Sequence, residues 1–495
     1  MKIRKNPQLF EANALLFLKE LSRKYKQKLT LGTIPVQEWK DIKDQGFDLF
    51  WAMGVWERSP AARHCALQES SLRQAYDAAL PGWKDKDIPG SPYAVHAYAL
   101  SPVLGKEDDL RQVRNLLNQI DVGLILDFVP NHMALDHPWT VARQDCFVRA
   151  SGDRVKNHSG LFFNGPNGTH FAHGRDPYFP PWRDTVQVNF FSNEARKSAV
   201  ETLLKIAKIA DGVRCDMAML GLNHVFEKTW GPFLDGAERP KKEFWQEVIE
   251  AVKSEHPDFI FMAEAYWDLE WELQQLGFDY TYDKKLYDRL LHASPEEIRG
   301  HLKADLSYQE HSVRFIENHD EPRAVTAFGR EKSQAAAVIT STVPGLHFFY
   351  NGQLTGKKIH LPVQLATEPE ESPDRELQGF YKILLDYINQ EPLHQGKWQM
   401  LEIRAAGDEN STCQNCLSWS WEWKDRIALI VVNYSSTPSQ ARILIPQSWI
   451  KGKSLVFSDQ LTERSYDRES NDLAEWGLYV DLGPWKAHLF DLKVK

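Results

Sequence analysis

At 495 residues the chain is long enough for about three structural units of ~150 residues, or for one α/β barrel with additions. Its composition, 42% hydrophobic and 26% charged, excludes disorder or coiled coil for the whole. Lys and Arg total 59 against 68 Asp and Glu, a net charge of −9 with no dense basic run, so no nucleic-acid partner is expected.

The opening, MKIRKNPQLFEANALLFLKELSRKYK, starts basic, but its apolar run extends only from Ala12 to Leu18. Asn13 breaks that run, and Glu11, Lys19 and Glu20 flank it. No small-residue cleavage site follows, so the segment reads as mature protein. Nowhere are there the ~20 uninterrupted apolar residues of a membrane span, and no membrane partner is expected. Cys65, Cys146, Cys215, Cys413 and Cys416 form an odd, sparse set that fits a reducing compartment, which points to the cytoplasm.

From about residue 35 to 350 an amphipathic helix is followed repeatedly by a short apolar run ending in polar residues. KEDDLRQVRNLLNQI places Leu110, Val113, Leu116, Leu117 and Ile120 on one face and leads into VGLILDFVPNH. NEARKSAVETLLKIAKIA repeats the spacing with Ala199, Val200, Leu203, Leu204 and Ala207, and DGVRCD follows. KKEFWQEVIEAVKSEHP stops at Pro257 before FIFMAEAYW. Weaker repeats lead into GFDLFWAMGVW, GFDYTYD, SVRFIENHD and PGLHFFYNGQ, and LFEANALLF supplies an eighth strand. Eight alternating units predict an α/β fold, a (β/α)8 TIM barrel of parallel strands with crossover helices.

Residues 55–104 and about 133–185 carry Gly, Pro, His and aromatics rather than helix or strand periodicity, as insertions at a barrel mouth do. After about 390, CLSWSWEW, RIALIVVNY, ARILIPQ and LYVDLGPWKAHLFDL are short, β-rich and separated by turn residues. The expected division is a catalytic barrel over 1–132 and 186–390, an inserted loop domain over 133–185, and a C-terminal antiparallel β-sandwich over 391–495. Cys413 and Cys416 form a lone CxxC without a second pair at zinc spacing, which reads as a hairpin turn with free thiols. Cys215 reads as packing.

Polar residues collect where the predicted strands end. Asp127 closes the third strand, with Asn131 and His132 just beyond. Arg214 and Asp216 end the fourth strand, Glu264 the fifth, and His319 and Asp320 the seventh. The C-terminal ends of barrel strands are where such enzymes keep their chemistry. Acids converging on one mouth repel one another. Arg214 can hold Asp216 ionised, while a neighbouring acid is raised and stays protonated, the split that a nucleophile and a proton donor require at one pH. Asp127, inside its strand, reads as an ion pair or loop anchor.

At these residues the chain resembles the α-amylase family of retaining glycoside hydrolases (glycoside hydrolase family 13). DFVPNH (127–132), GVRCD (212–216), Glu264 in FMAEAYW and NHD (318–320) match its four signature regions in order and spacing, and PGLHFFYNGQ resembles its eighth-strand segment. The resemblance covers about residues 10–390 and implies catalytic roles for Asp216 as nucleophile, Glu264 as general acid and base, and Asp320 as transition-state binder. It implies that Tyr93, in SPYAVHAY, stacks on the sugar, that His132 and His319 hydrogen-bond the same ring, and that Arg214 sets the state of Asp216. Two displacements at one carbon would retain the α configuration.

The chain also departs from the family. Met219 and Leu220 stand where α-amylases often have Lys-His, Ala94 where many exo-acting α-glucosidases have Asp, and Ala97-Tyr98 where Asp-Tyr is common. Gln187 replaces an acid that some relatives use with Asn131 to bind calcium. One Asn with one Gln is a thin ligand set for a hard cation, so no cofactor or metal is expected. Within LFFNGPNGTHFAHGRDPYFPPW, Tyr178 and Trp182 are the candidates for cleft contact, since sugars stack on rings. The expected activity is hydrolysis of short α-glucosides or small maltooligosaccharides, a small-molecule carbohydrate being the partner. The alternatives are a transglycosidase, isomerase or sugar phosphorylase using the same carboxylates, or a non-catalytic carbohydrate-binding protein. The sequence leaves the oligomeric state open.

Overall fold

Eight short apolar runs form parallel strands that close on themselves: β1 (Gln8–Asn13), β2 (Leu49–Met53), β3 (Gly123–Phe128), β4 (Gly212–Cys215), β5 (Ile260–Ala263), β6 (Tyr280–Tyr282), β7 (Ser312–Arg314) and β8 (Leu346–Tyr350). The structure, a computed structural model, describes residues 3–494 apart from Ser151, Ser159, Asp235, Lys451 and Lys453. β1 closes the barrel by pairing Leu9 with Leu49 on one side and Phe348 on the other. Every residue of β1, β2 and β3 is buried, as expected of parallel strands covered on both faces. Register sets Arg214 beside Asp127 and Glu11 beside Trp51, so these side chains share the barrel interior near its mouth.

The crossover helices form where the periodicity placed them, at Glu107–Gln119, Asn193–Ile206 and Phe244–Glu255. In the second, however, the buried face is only partly the one read from the apolar residues: Leu203 and Ala207 are buried on it. Ala199, Val200 and Leu204 are half-buried, while Ala195, Ser198, Thr202, Leu203 and Ile206 are buried. Arg196 accounts for the rotation: its buried guanidinium donates to the Phe190 carbonyl (2.7 Å), Glu247 (2.8 Å) and Asn223 Oδ1 (3.0 Å) and draws that face inward.

Residues 55–104 hold more regular structure than expected: helices Pro60–Gln68 and Ser70–Ala79, and a bulged pairing of Trp56–Arg58 with Val95–Leu100. The first helix buries only Ala62 and Ala66, too little apolar bulk to show as a stripe. Its start is conventional, with Pro60 in the first turn and the Ser59 side chain accepting from the Ala62 N–H. In the other insertion, His132–Ala134 pairs antiparallel with Thr185–Gln187. Phe162–Asn164, His170–Ala172 and Arg149–Ala150 form a small sheet beside them.

The C-terminal region is a sandwich of a six-stranded and a three-stranded antiparallel sheet enclosing Leu429, Val431, Ile443, Val480 and Phe490. Cys413 lies in a short helical turn, Thr412–Asn415. That turn carries the chain from Ile403–Ala405 in the small sheet to Cys416–Trp423 in the large one. It is therefore an inter-sheet crossing rather than a hairpin, because these strands pair with other partners; all five cysteines are free. The sandwich meets the barrel at the end of helix Arg330–Thr342, where Trp419 and Trp421 both donate to the Thr342 carbonyl (3.1 and 2.7 Å). A helix leaves such terminal carbonyls without internal partners.

At Gly212, which opens β4, a Cβ would lie 2.7 Å from the Ile260 carbonyl oxygen and 2.8 Å from Ile125 Cδ1. Gly212→Ala is expected to destabilise the barrel by about 1–3 kcal/mol through overpacking, read by denaturant unfolding.

Candidate active site

The site is built where β4 and β5 end. Asp216 leaves β4 with its N–H bonded to the Phe128 carbonyl (2.9 Å), and the Glu264 N–H returns to the Cys215 carbonyl (3.0 Å). Met217 then turns into the left-handed region, φ 44°, a conformation that strains a side chain bearing a Cβ. The turn aims its N–H at Glu264 Oε2 (2.6 Å). Cys215, between Arg214 and Asp216 in sequence, is fully buried.

Arg214 sits at the centre, fully buried. One arm of its guanidinium reaches Asp216 Oδ1 (2.7 Å) and the other Glu264 Oε2 (2.8 Å), with Asp127 and Asp320 each at 3.9 Å. Trp51, Tyr93 and Tyr282 surround the cation, their ring centres 5.4, 5.2 and 5.9 Å away. A planar donor fork suits two carboxylates where the compact ammonium of lysine does not. Asp127, a candidate anchor, does anchor a loop: its Oδ2 accepts the Gly54 N–H at 2.8 Å.

These contacts separate the acids. Burial pushes Glu264 up to about 7 against the pull of Arg214, with Asp216 and Asp320 adding to the rise. Three donors oppose the rise, from Arg214, the Met217 N–H and the Tyr266 hydroxyl (2.7 Å to Oε1). Burial also raises Asp216 against Arg214, and raises Asp127 to about 6. Asp320 goes the other way. Although burial works against its charge, His319 and Arg214 hold it down to about 2, and 42% of its side chain is exposed. The structure thus divides Arg214 between Asp216 and Glu264, and the carboxyl held lowest is Asp320.

The other predicted residues gather around this core. Tyr93 stacks on His319 at 5.4 Å with 20° between the rings, and its hydroxyl lies 2.7 Å from His319 Nε2. His132 is buried, lowered to about 4 by burial and therefore neutral, with Trp182 packed against it at 5.0 Å. Tyr178 stands at the rim, 61% exposed, edge-on to Trp267 at 5.0 Å. Met219 and Leu220 are buried and present no polar group.

Three neighbours carried no motif. Glu11, at 2.5 Å from His319 Nδ1, was visible only as an acid beside an apolar run. Tyr266 and Trp267 lie two and three residues after Glu264, and Trp267 and Asp268 both have positive φ (65° and 62°), a strained turn that no residue type announces.

At Asn131 the oxygens are already taken. The Gln187 amide nitrogen donates to both oxygens of Asn131 (2.9 Å each) and to the Val188 carbonyl (3.0 Å), occupying the acceptors a cation would need. Among the described residues no group of three or more His, Cys, Asp or Glu is arranged to hold a metal.

No family model matches the chain. "Alpha-amylase 3" of Dictyoglomus thermophilum is 24% identical over 298 residues, covering 55% of each chain. An "Alpha-1,4-glucan:maltose-1-phosphate maltosyltransferase" of Bifidobacterium animalis subsp. lactis is 23% identical over 454 residues, 85% of this chain and 55% of its own. The chain spans about half the length of these curated relatives. In fold it is similar to the crystal structure of the α-amylase of Geobacillus thermoleovorans in complex with acarbose, with TM-score 0.68, 16% identity and full coverage of both chains.

Arg214→Met leaves several buried carboxyls facing one another without their guanidinium, and an expected loss of about 3–5 kcal/mol at pH 7. The deficit should shrink towards pH 5, because raised carboxyls in the folded variant bind protons there that the unfolded chain does not. Urea unfolding at the two pH values checks both the size and the sign.

Proposed function

We propose that this chain, a relative of the α-amylase family of glycoside hydrolases, is an α-retaining glycosidase of short α-glucosides or small maltooligosaccharides. The observation that carries the reading is Arg214 bonded at once to Asp216 and Glu264, at 2.7 and 2.8 Å, where two neighbouring strands end. Asp216 attacks the anomeric carbon while Glu264 gives its proton to the departing oxygen, leaving a glycosyl ester on Asp216. Glu264, now a carboxylate, takes a proton from water, whose oxygen displaces Asp216 from the same carbon. Two inversions give net retention. A general acid works best with its pKa near the working pH, which suits a Glu264 at about 7.

Asp320, ionised and open to the cleft, binds sugar hydroxyls and opposes the positive charge that develops at the anomeric carbon. Tyr93, His319 and neutral His132 complete the sugar-binding surface. The buried Met219 and Leu220 offer no polar contact for product-side sugars, which supports small substrates. The reading needs no metal, since Gln187 already satisfies Asn131. It places the chain in the cytoplasm, a location that suits five free cysteines. Among the described residues no helix is long and apolar enough to cross a membrane.

The maltosyltransferase similarity over 85% of this chain favours a second reading, in which the same glycosyl–Asp216 ester is transferred to phosphate or another sugar. Product analysis with and without these acceptors separates transfer from hydrolysis.

Hydrolysis of an aryl α-glucoside, followed by proton NMR, tests the main reading. The wild type should release α-glucose first, and Asp216→Asn and Glu264→Gln should each lose roughly 10²–10⁴-fold or more. Full activity in either variant, or β-glucose first, overturns the assignment. Wild-type kcat/KM should also fall as pH rises through about 7, where Glu264 loses its proton, and this limb should vanish in Glu264→Gln.

A further inference from the structure

His319 is flanked by an acid at each ring nitrogen. Nδ1 lies 2.5 Å from Glu11 Oε1, and Nε2 lies 3.0 Å from Asp320 Oδ2 and 2.7 Å from the Tyr93 hydroxyl. A carboxylate only accepts hydrogen bonds, so each nitrogen must carry a proton to satisfy its partner, and the ring is then an imidazolium. Glu11 is the partner with no other role. It lies on β1, wholly buried, and its second oxygen, also buried, has no hydrogen-bond partner. A buried carboxylate with one donor depends on that donor being a cation.

We propose that Glu11 is a positioning residue of this site: through Nδ1 it keeps His319 an imidazolium, whose Nε2–H fixes Asp320 and Tyr93 to receive the sugar. The proposal rests on the reading of Asp320 and Tyr93 as sugar-binding groups. It has a consequence for Tyr93. When Nε2 bears a proton, the Tyr93 oxygen accepts from it, and the hydroxyl proton is free to meet a sugar oxygen. A neutral ring protonated at Nδ1 would instead take the Tyr93 proton and release Asp320.

The other groups facing His319 act in the same direction or are neutral. Trp51 on β2 meets the ring edge-on at 5.4 Å, and Tyr93 covers one face. Asp127 from β3 and Asp216 beyond β4 are both felt electrostatically by the ring. His360, from the loop after β8, bonds the His319 carbonyl (3.0 Å) and is kept low by burial. Arg214, which shares Asp320 with His319, is a cation that opposes this charge, and it is committed to Asp216 and Glu264. Glu11 and Asp320 raise His319 well above the ordinary histidine value although burial lowers it.

The test uses Glu11→Gln, His319→Gln and the double variant in the full chain, with ¹⁵N-histidine NMR and kcat/KM from pH 5 to 8. In the wild type the His319 signals, identified by their loss in His319→Gln, should stay those of an imidazolium throughout. In Glu11→Gln the ring should become neutral within this window. kcat/KM should then be near wild type at pH 5 and roughly 10- to 100-fold below it at pH 8, the scale of losing charge-assisted hydrogen bonds. In the His319→Gln background Glu11→Gln should cost nothing further. An unchanged imidazolium, or a pH-independent loss repeated in the His319→Gln background, overturns the proposal. Should Glu11→Gln not fold, stability decides: His319→Gln, which strands Glu11, should be less stable than the double variant, and the reverse order overturns the proposal. A wild type that turns over no glycoside while the NMR result holds would sink the glycosidase reading and leave Glu11's hold on His319 in place.

Discussion

A single guanidinium, buried in the mouth of the barrel, makes the rest of the site possible. Glu11, Asp127, Asp216, Glu264 and Asp320 converge on a region with two cations, Arg214 and His319. In a medium of low dielectric constant this excess of acids is resisted strongly, and burial raises Asp127 and Glu264 as a result. The same imbalance suits the proposed chemistry. Even with Glu264 protonated the mouth remains net negative, complementary to the positive charge that appears at a sugar's anomeric carbon as its bond to the leaving group breaks.

The two cations divide the acids into two groups. Arg214 serves Asp216 and Glu264, the two acids that the proposed mechanism uses. His319, between Glu11 and Asp320, serves the surface proposed to hold the sugar. Each cation is shielded by rings, Arg214 by Trp51, Tyr93 and Tyr282, and His319 by Trp51 and Tyr93. Tyr93 and Trp51 are common to both, so the two halves share a wall. Such packing excludes water, and each ion pair gains strength from that exclusion.

Further from the carboxylates, the insertion over 133–185 brings its own aromatic rings to the site. Trp182 holds His132 in place, and Tyr178 meets Trp267 across the rim. The strained backbone at Trp267 and Asp268, the two residues that follow Tyr266, is kept where Tyr266 bonds Glu264. Strain of this kind persists only where surrounding structure enforces it. In the proposed reaction the carboxylates would serve water or another acceptor alike.

Much of this was legible in the residues alone. Period-3.6 helices alternating with apolar runs specify a parallel barrel, because helix and strand patterns bury opposite kinds of surface. The polar ends of those runs named Asp216, Glu264, Asp320, Arg214, His132 and His319, since position along a strand fixes which end of the barrel a residue reaches. Less visible were the Ala-rich helix at Pro60–Gln68 and the rotated face of Asn193–Ile206, where a buried arginine overrode the apolar pattern. What only the tertiary structure decided is pairing. Glu11 and His319 stand 308 positions apart in sequence yet 2.5 Å apart in space, and Arg214 is shared between Asp216 and Glu264. Local propensity carries no information about such contacts. They arise when the barrel closes, and the cost of burying each unpaired charge determines which partner it keeps.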